Sequence, residues 1–147
     1  MIQRVISVVV FYTSDGKIFI QDRTNMSKNA DWWLFGGGKE EGDRDEIHTA
    51  IREIQEELNI FLNPSDLQKI GYTVVENSGV SRYEVTVFVA PWKEEYVDDF
   101  RLREGAWIQW MTPKEMKQQS RTYAVDVCHM DIIEDYFLRH SPWTLHA

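Results

Sequence analysis

The sequence predicts an α/β or α+β sandwich, and three observations predict it. Short segments rich in β-branched and aromatic residues recur along the chain, one central stretch has helical periodicity, and an amphipathic helical stretch closes it. No repeat, low-complexity tract or linker divides the 147 residues, so residues 1–147 read as a single domain.

Residues 5–13 are dense in valine and aromatics and read as a well-buried strand. Ser14-Asp15-Gly16 is a turn, and residues 17–23 alternate as a second strand, which makes a hairpin. A polar loop over residues 24–31 leads to the aromatic segment Trp32-Trp33-Leu34-Phe35 and then directly to Gly36, Gly37 and Gly38. From about residue 45 to 59 the pattern becomes helical. Ile47, Ile51, Ile54 and Leu58 form one apolar stripe, and Asn59 serves as a left-handed C-cap. Residues 67–76 and 82–92 read as strands around the turn Asn77-Ser78-Gly79, and residues 104–111 as a further short strand. Thr112-Pro113-Lys114-Glu115 opens a short helix, with Thr112 as N-cap, Pro113 at the first position and Glu115 at the third. Residues 125–139 form the last helix. Its Val125, Ile132, Ile133, Tyr136 and Phe137 cover the sheet or offer a dimer surface, so monomer and homodimer both stay open.

Composition narrows the partners. Hydrophobic residues at 43% and charged residues at 27% describe a soluble globular chain. A net charge of −8 argues against duplex nucleic acid, which is bound by basic faces. A small phosphorylated ligand remains compatible, because metal ions reverse the local charge it meets. Cys128 is the one cysteine, which excludes an intrachain disulfide and a cysteine-based zinc cluster and suits a reducing, cytoplasmic setting. Its apolar helical surroundings suggest a buried structural thiol. The apolar run near the start is too short to span a membrane and ends in a turn.

The chemistry concentrates in residues 36–60. Glu53, Glu56 and Glu57 stand at i, i+3 and i+4, so their carboxylates share a helical face turned away from the isoleucine stripe. Like charges at this spacing destabilise an isolated helix, and a hard cation would relieve them. Clustered carboxylate oxygens suit magnesium or manganese bridging to phosphates. Residues 37–60 hold eight acids and three bases, a large share of the total charge. An acidic string alone is usually a solvated face. Here the preceding glycines let main chain approach a ligand closely, and Gly42 adds a further corner. His48, His129, His140 and His146 show no metal-binding pattern.

This segment resembles a Nudix box: glycine, five residues, glutamate, seven residues, then Arg-Glu-aliphatic-any-Glu-Glu-any-Gly-aliphatic. Gly37 is followed after five residues by Asp43, and later by Arg52-Glu53-Ile54-Gln55-Glu56-Glu57-Leu58-Asn59-Ile60. The second half departs only at Asn59, which replaces glycine. In the first half Asp43 replaces glutamate, eight residues separate it from Arg52, and Phe35 stands where many members have proline. The resemblance implies a Nudix-type α/β/α sandwich with a mixed sheet and a loop-helix-loop catalytic motif. It also implies that Asp43 pairs with Arg52 to fix the loop on the helix.

Carried over by position, Glu53, Glu56 and Glu57 become ligands for magnesium or manganese, helped by the carbonyl of Gly37. The reaction implied is water attack on a diphosphate within a small nucleotide. Glu53 is one candidate general base; Glu94, Glu95 and, best of these, Glu104 are the others. Arg23 could meet phosphate oxygens as a bidentate donor. If Trp32 and Trp33 are extended they face opposite sides; one joins the core, while the other, with Trp33 the choice, stacks on the base or packs at a dimer seam. Val74-Val75-Glu76-Asn77 carries neither the proline of ADP-ribose hydrolases nor the tyrosine of dinucleoside polyphosphate hydrolases. A (deoxy)nucleoside triphosphate, cleaved to monophosphate and pyrophosphate, is the leading substrate. A nucleotide sugar or ADP-ribose is the alternative, and an inactive ligand-binding module or a plain interaction protein the rivals from other classes.

Overall fold

β1 (Ile2–Tyr12) explains the unbroken apolar run near the start, because both of its faces are buried. Ile6, Val8 and Val10 enter one hydrophobic layer, while Val9 and Phe11 enter the opposite one. The computed structural model describes residues 2–22, 32–102, 107–119 and 127–139; the side chains of residues 2, 22, 32, 33, 77, 107, 117–119 and 127–130 lie outside that description.

β1 pairs in parallel with β6 (Ser81–Pro91) along its whole length, from Ile2 opposite Ser81 to Tyr12 opposite Pro91. Its other edge takes β4 (Phe35–Gly38) antiparallel and meets β2 (Ile18–Asp22) at Tyr12 opposite Ile18, which closes the expected hairpin. β2 also pairs with β3 (Trp32–Trp33) and with β7 (Trp107–Met111). β5 (Gln68–Asn77) lies outside β6 and antiparallel to it. Their connection turns on Ser78 and Gly79, both at positive φ. Among the described residues seven strands thus form one mixed sheet. The last strand is seen from Trp107; the first residues expected for it lie outside the described ones.

Helices cover both faces. α1 (Glu46–Leu58) packs on the layer of Val9, Phe11, Phe19 and Phe35, and α2 (Pro113–Gln119) and α3 (Val127–Arg139) on the layer of Ile6, Val8 and Val10. The arrangement is the α/β/α sandwich. Asp45 caps α1 by accepting from His48 N at 2.8 Å, and Asn59 ends it at φ 57°, ψ 36°, as a left-handed C-cap. The buried stripe is rotated slightly from the expected one. Ala50, Ile54 and Leu58 are fully buried, whereas Ile47 and Ile51 are half-buried at its margin.

The aromatic-rich composition is concentrated in the α1 layer. Phe19 stacks on Phe35 at 5.1 Å between ring centres and also contacts Trp92, Phe100 and Trp110. Phe35, at the position where proline is common, is therefore a core residue. α2 opens with the expected capping box: Thr112 Oγ1 accepts from Glu115 N at 3.1 Å, and Glu115 Oε1 accepts from Thr112 N at 3.2 Å. In α3, Ile133 and Phe137 are buried, so this helix covers the sheet. It comes so near β5 that a methyl group on Gly71 would stand 2.6 Å from Ile132 Cγ2. No helix among the described residues is long and apolar enough to cross a membrane.

Candidate active site

The site forms where β4 runs beside α1. β4 exposes main chain because it is glycine-rich, and α1 lays its acids against that bare stretch. A methyl group built on Gly37 would stand 2.4 Å from Glu53 Cδ and 2.5 Å from its Oε2, so only a glycine leaves room for this carboxylate. Gly36 is required for a different reason. Its φ is 147°, and a Cβ there would lie 2.0 Å from the Ser7 carbonyl oxygen. Its amide donates to Glu57 Oε1 at 3.3 Å.

Arg52 organises the acids. Its Nε donates to Asp43 Oδ1 at 3.0 Å and its Nη2 to Asp43 Oδ2 at 2.9 Å, a two-pronged bridge between loop and helix. The Asp43–Arg52 pairing expected from the sequence is therefore present. The shorter acid is matched by the longer loop, and further donors complete its shell. Glu40 N and Thr49 Oγ1 each donate to Asp43 Oδ2 at 2.9 Å. Asp43 is buried, and the Arg52 guanidinium first, then the Glu40 amide and Thr49 hydroxyl, hold its carboxyl well below the usual carboxylate range against the opposing effect of burial. The same bond raises the Arg52 guanidinium above its ordinary value.

The remaining donors of Arg52 reach the carboxylate face of α1. Nη2 also donates to the Gly38 carbonyl at 2.8 Å, and Nη1 to Glu53 Oε1 at 3.0 Å and to Glu56 Oε1 at 3.3 Å. Glu40 lies 3.5 Å from the same Nη1. Arg52 is thus structural, as expected, and it also places Glu53. The acids do not all point outward as the helical wheel suggests: Glu56 is exposed, while Glu53 and Glu57 are half-buried against β4. Among the described residues no three acidic, histidine or cysteine side chains stand close enough together to hold an ion as they are. The donor set nevertheless fits a hard divalent cation: carboxylate oxygens on one helical face, beside a glycine strand whose missing side chains leave room for a ligand.

The other expected site residues divide in two. Glu94 and Glu95, exposed on a short 3-10 turn (Glu94–Tyr96), follow Trp92, whose amide donates to the Tyr12 carbonyl at 2.8 Å. Tyr12 is five residues along β1 from Ser7, the partner of Gly37, which is roughly 16 Å at about 3.3 Å per residue. Among the described residues no hydrogen bond or ion pair joins either acid to Glu53; Glu95 stands 3.9 Å from Lys93 Nζ. Arg23 and Glu104 lie outside the described residues, as do the side chains of Trp33 and Cys128. His48 sits on α1, its Nδ1 accepting from Arg44 N at 3.4 Å.

Sequence reasoning missed Arg4 and Lys39. They flank a cleft of about 460 Å3, which residues 3–5 of β1 line on one side and Gly38, Lys39 and the loop acids on the other. The available signal was a cation in a strand register that carries Ile6 and Val8 on the same face. Only strand pairing shows that this face meets Gly38.

Comparison with known proteins agrees with this geometry. The NUDIX domain family matches residues 1–127. The CTP pyrophosphohydrolase of Escherichia coli (strain K12) is 30% identical over 115 residues, which are 76% of this chain and 78% of that protein. The solution structure of the E. coli ORF135 protein superposes with a TM-score of 0.73 at 21% identity, covering 96% of this chain and 95% of that one. The NUDIX domain of Shewanella oneidensis NrtR, solved with ADP ribose, superposes with a TM-score of 0.68 at 14% identity, covering 93% and 90%. At these identities the two structures show a shared fold.

Proposed function

Because the chain belongs to the NUDIX domain family, and so is a hydrolase of phosphoric anhydride bonds, we propose that it cleaves a (deoxy)nucleoside triphosphate to the monophosphate and pyrophosphate with a divalent cation. One observation carries the reading: the Glu53 carboxylate is set against the bare Gly37 backbone by Arg52, which Asp43 holds from the other side. The irregular first half of the box, the reason to consider an inactive binding module, gives a complete bridge. The relative at 30% identity, a CTP pyrophosphohydrolase, favours a triphosphate over a nucleotide sugar or ADP-ribose.

Glu53, Glu56 and Glu57 would hold magnesium or manganese, with the Gly37 carbonyl as a further oxygen. When bound, the cation supplies charge neutralisation at the diphosphate and acidifies water. The chain's own residues do the rest. Arg52 Nη1 donates to Glu53 Oε1 at 3.0 Å and so orients the carboxylate towards Gly37. The Gly36 amide fixes Glu57. A general base takes the proton of the attacking water; Glu53 fills that role by position, and Glu104 is the second candidate. Arg23 and Trp33 would hold the phosphates and base from the neighbouring loop and strand.

The test is a panel of nucleoside triphosphates, nucleotide sugars, ADP-ribose and dinucleoside polyphosphates with magnesium, products resolved by chromatography, and Glu57→Gln as control. Triphosphate cleavage with pyrophosphate release, reduced at least about a hundredfold in the control while its melting temperature holds, is the expected result. Cleavage of only sugar nucleotides or ADP-ribose moves the substrate class. No metal-dependent cleavage of any compound defeats the proposal.

A further inference from the structure

Successive positions of β4 face opposite sides of the sheet. The direction a side chain would take from Gly37 meets Glu53. The direction from Gly38 meets Arg4, with Nη2 at 2.7 Å, Nε at 3.4 Å and Cζ at 3.5 Å from a built Cβ. The acid that marks the reaction centre and the Arg4 guanidinium therefore stand on opposite faces of two residues of bare backbone. Arg4 and Lys39 share the cleft of about 460 Å3 there, and Lys39 is fastened to β1 by its amide, which donates to the Val5 carbonyl at 2.7 Å.

The charge arrangement is unusual for so acidic a chain. Glu40, Glu41 and Asp43 also line the cleft, yet Asp43 and Glu40 are directed to Arg52, at 2.9 Å and 3.5 Å. Among the described residues neither the Arg4 nor the Lys39 side chain has a hydrogen-bond or ion-pair partner. The exposed Glu40 and Glu41 line the rim of the same cleft, so the two cations set its sign only where Arg4 meets Gly38. Two exposed cations left without partners beside three acids, in a cleft that opens next to the catalytic glycines, suit an anionic ligand with planar, two-oxygen recognition by arginine.

We infer that Arg4 is a substrate-binding residue that takes phosphate oxygens of the nucleotide on the face of β4 opposite Glu53. The inference rests on the nucleotide hydrolase reading above. Among the described residues β4 pairs only with β1, so its other edge leaves a way round from one face to the other. A contact set apart from the Glu53 face holds the substrate before and during reaction alike, so its signature is in binding, KM and Kd, and not in kcat.

The experiment compares wild type, Arg4→Ala, Arg4→Lys and Gly38→Ala in steady-state hydrolysis of the best triphosphate, and by calorimetric binding of its α,β-methylene analogue with magnesium. Melting curves run alongside; Arg4 is exposed, so its variants keep the fold. For Arg4→Ala the expected result is a KM and analogue Kd raised about tenfold or more with kcat within about threefold. Arg4→Lys should fall between, and Gly38→Ala should weaken binding by pushing the guanidinium aside. KM and Kd within about twofold of wild type for Arg4→Ala would overturn the inference while leaving the hydrolase intact. If wild type cleaves no nucleotide, the activity proposal fails and the calorimetric arm decides alone: analogue binding lost with Arg4 supports the subsite. Equal binding, or none in wild type, overturns it.

Discussion

Replacing Asp43 by alanine removes a carboxylate that accepts four hydrogen bonds: from Arg52 Nε at 3.0 Å, and from Arg52 Nη2, Glu40 N and Thr49 Oγ1 at 2.9 Å each. The Asp43 side chain is 2% exposed and that of Arg52 18%, so the change strands a charge that water reaches poorly. Breaking one side of such a pair costs about 3–5 kcal/mol. The lower end applies here, because Glu53, Glu56 and Glu40 still surround Nη1. For a chain of this size about 3 kcal/mol corresponds to a fall of roughly 10 °C in Tm. Urea denaturation followed by tryptophan fluorescence measures it. The pH dependence supplies a second check. The folded state holds the Asp43 carboxyl below its ordinary value of 3.8, so its stabilisation is fully present above that value and is lost as pH falls further. Asp43→Asn should therefore remove part of the acid-limb slope between about pH 4 and 2.5. A cost under about 1 kcal/mol, the range of solvent-exposed pairs, together with an unchanged acid limb, would refute the reasoning.

Gly36→Ala should destabilise the fold by more than about 3 kcal/mol or prevent folding, since its Cβ meets the Ser7 carbonyl and its φ of 147° suits only glycine; a thermal melt within about 3 °C of wild type, roughly 1 kcal/mol, would contradict this. Asn59 stands at φ 57° where the family has glycine, and its Nδ2 donates to the Asp99 carbonyl at 2.9 Å. Asn59→Gly should be within about 0.5 kcal/mol of wild type and Asn59→Ala should cost about 1–2 kcal/mol, compared by urea midpoints. Asp43→Ala should also lower kcat more than it raises KM, because Arg52 keeps its contact with Glu53 but loses the loop anchor that positions it; an unchanged kcat would show that Glu53 does not depend on the bridge.

The sequence by itself determined the elements and the reactive segment. Periodicity along residues 45–59 located α1, and asparagine at 59 marked its left-handed end, because both are local properties of a helix. The alternation within β1 and the capping box at Thr112 were legible for the same reason. The order of residues in the box singled out Glu53, Glu56, Glu57 and Arg52, and even the Asp43–Arg52 bridge, whose ends are only nine residues apart. Tertiary structure decided what depends on distant partners. The antiparallel register of β4 on β1 sends Gly37 towards Glu53 and Gly38 towards Arg4. That register also turns Glu53 and Glu57 in towards the strand, where a helical wheel shows them facing solvent, while the parallel pairing of β6 with β1 sets Glu94 and Glu95 beyond Tyr12. Which faces meet is set by hydrogen-bond register between strands far apart in the chain, where a shift of one residue would exchange the two faces and separate the acids from their glycine.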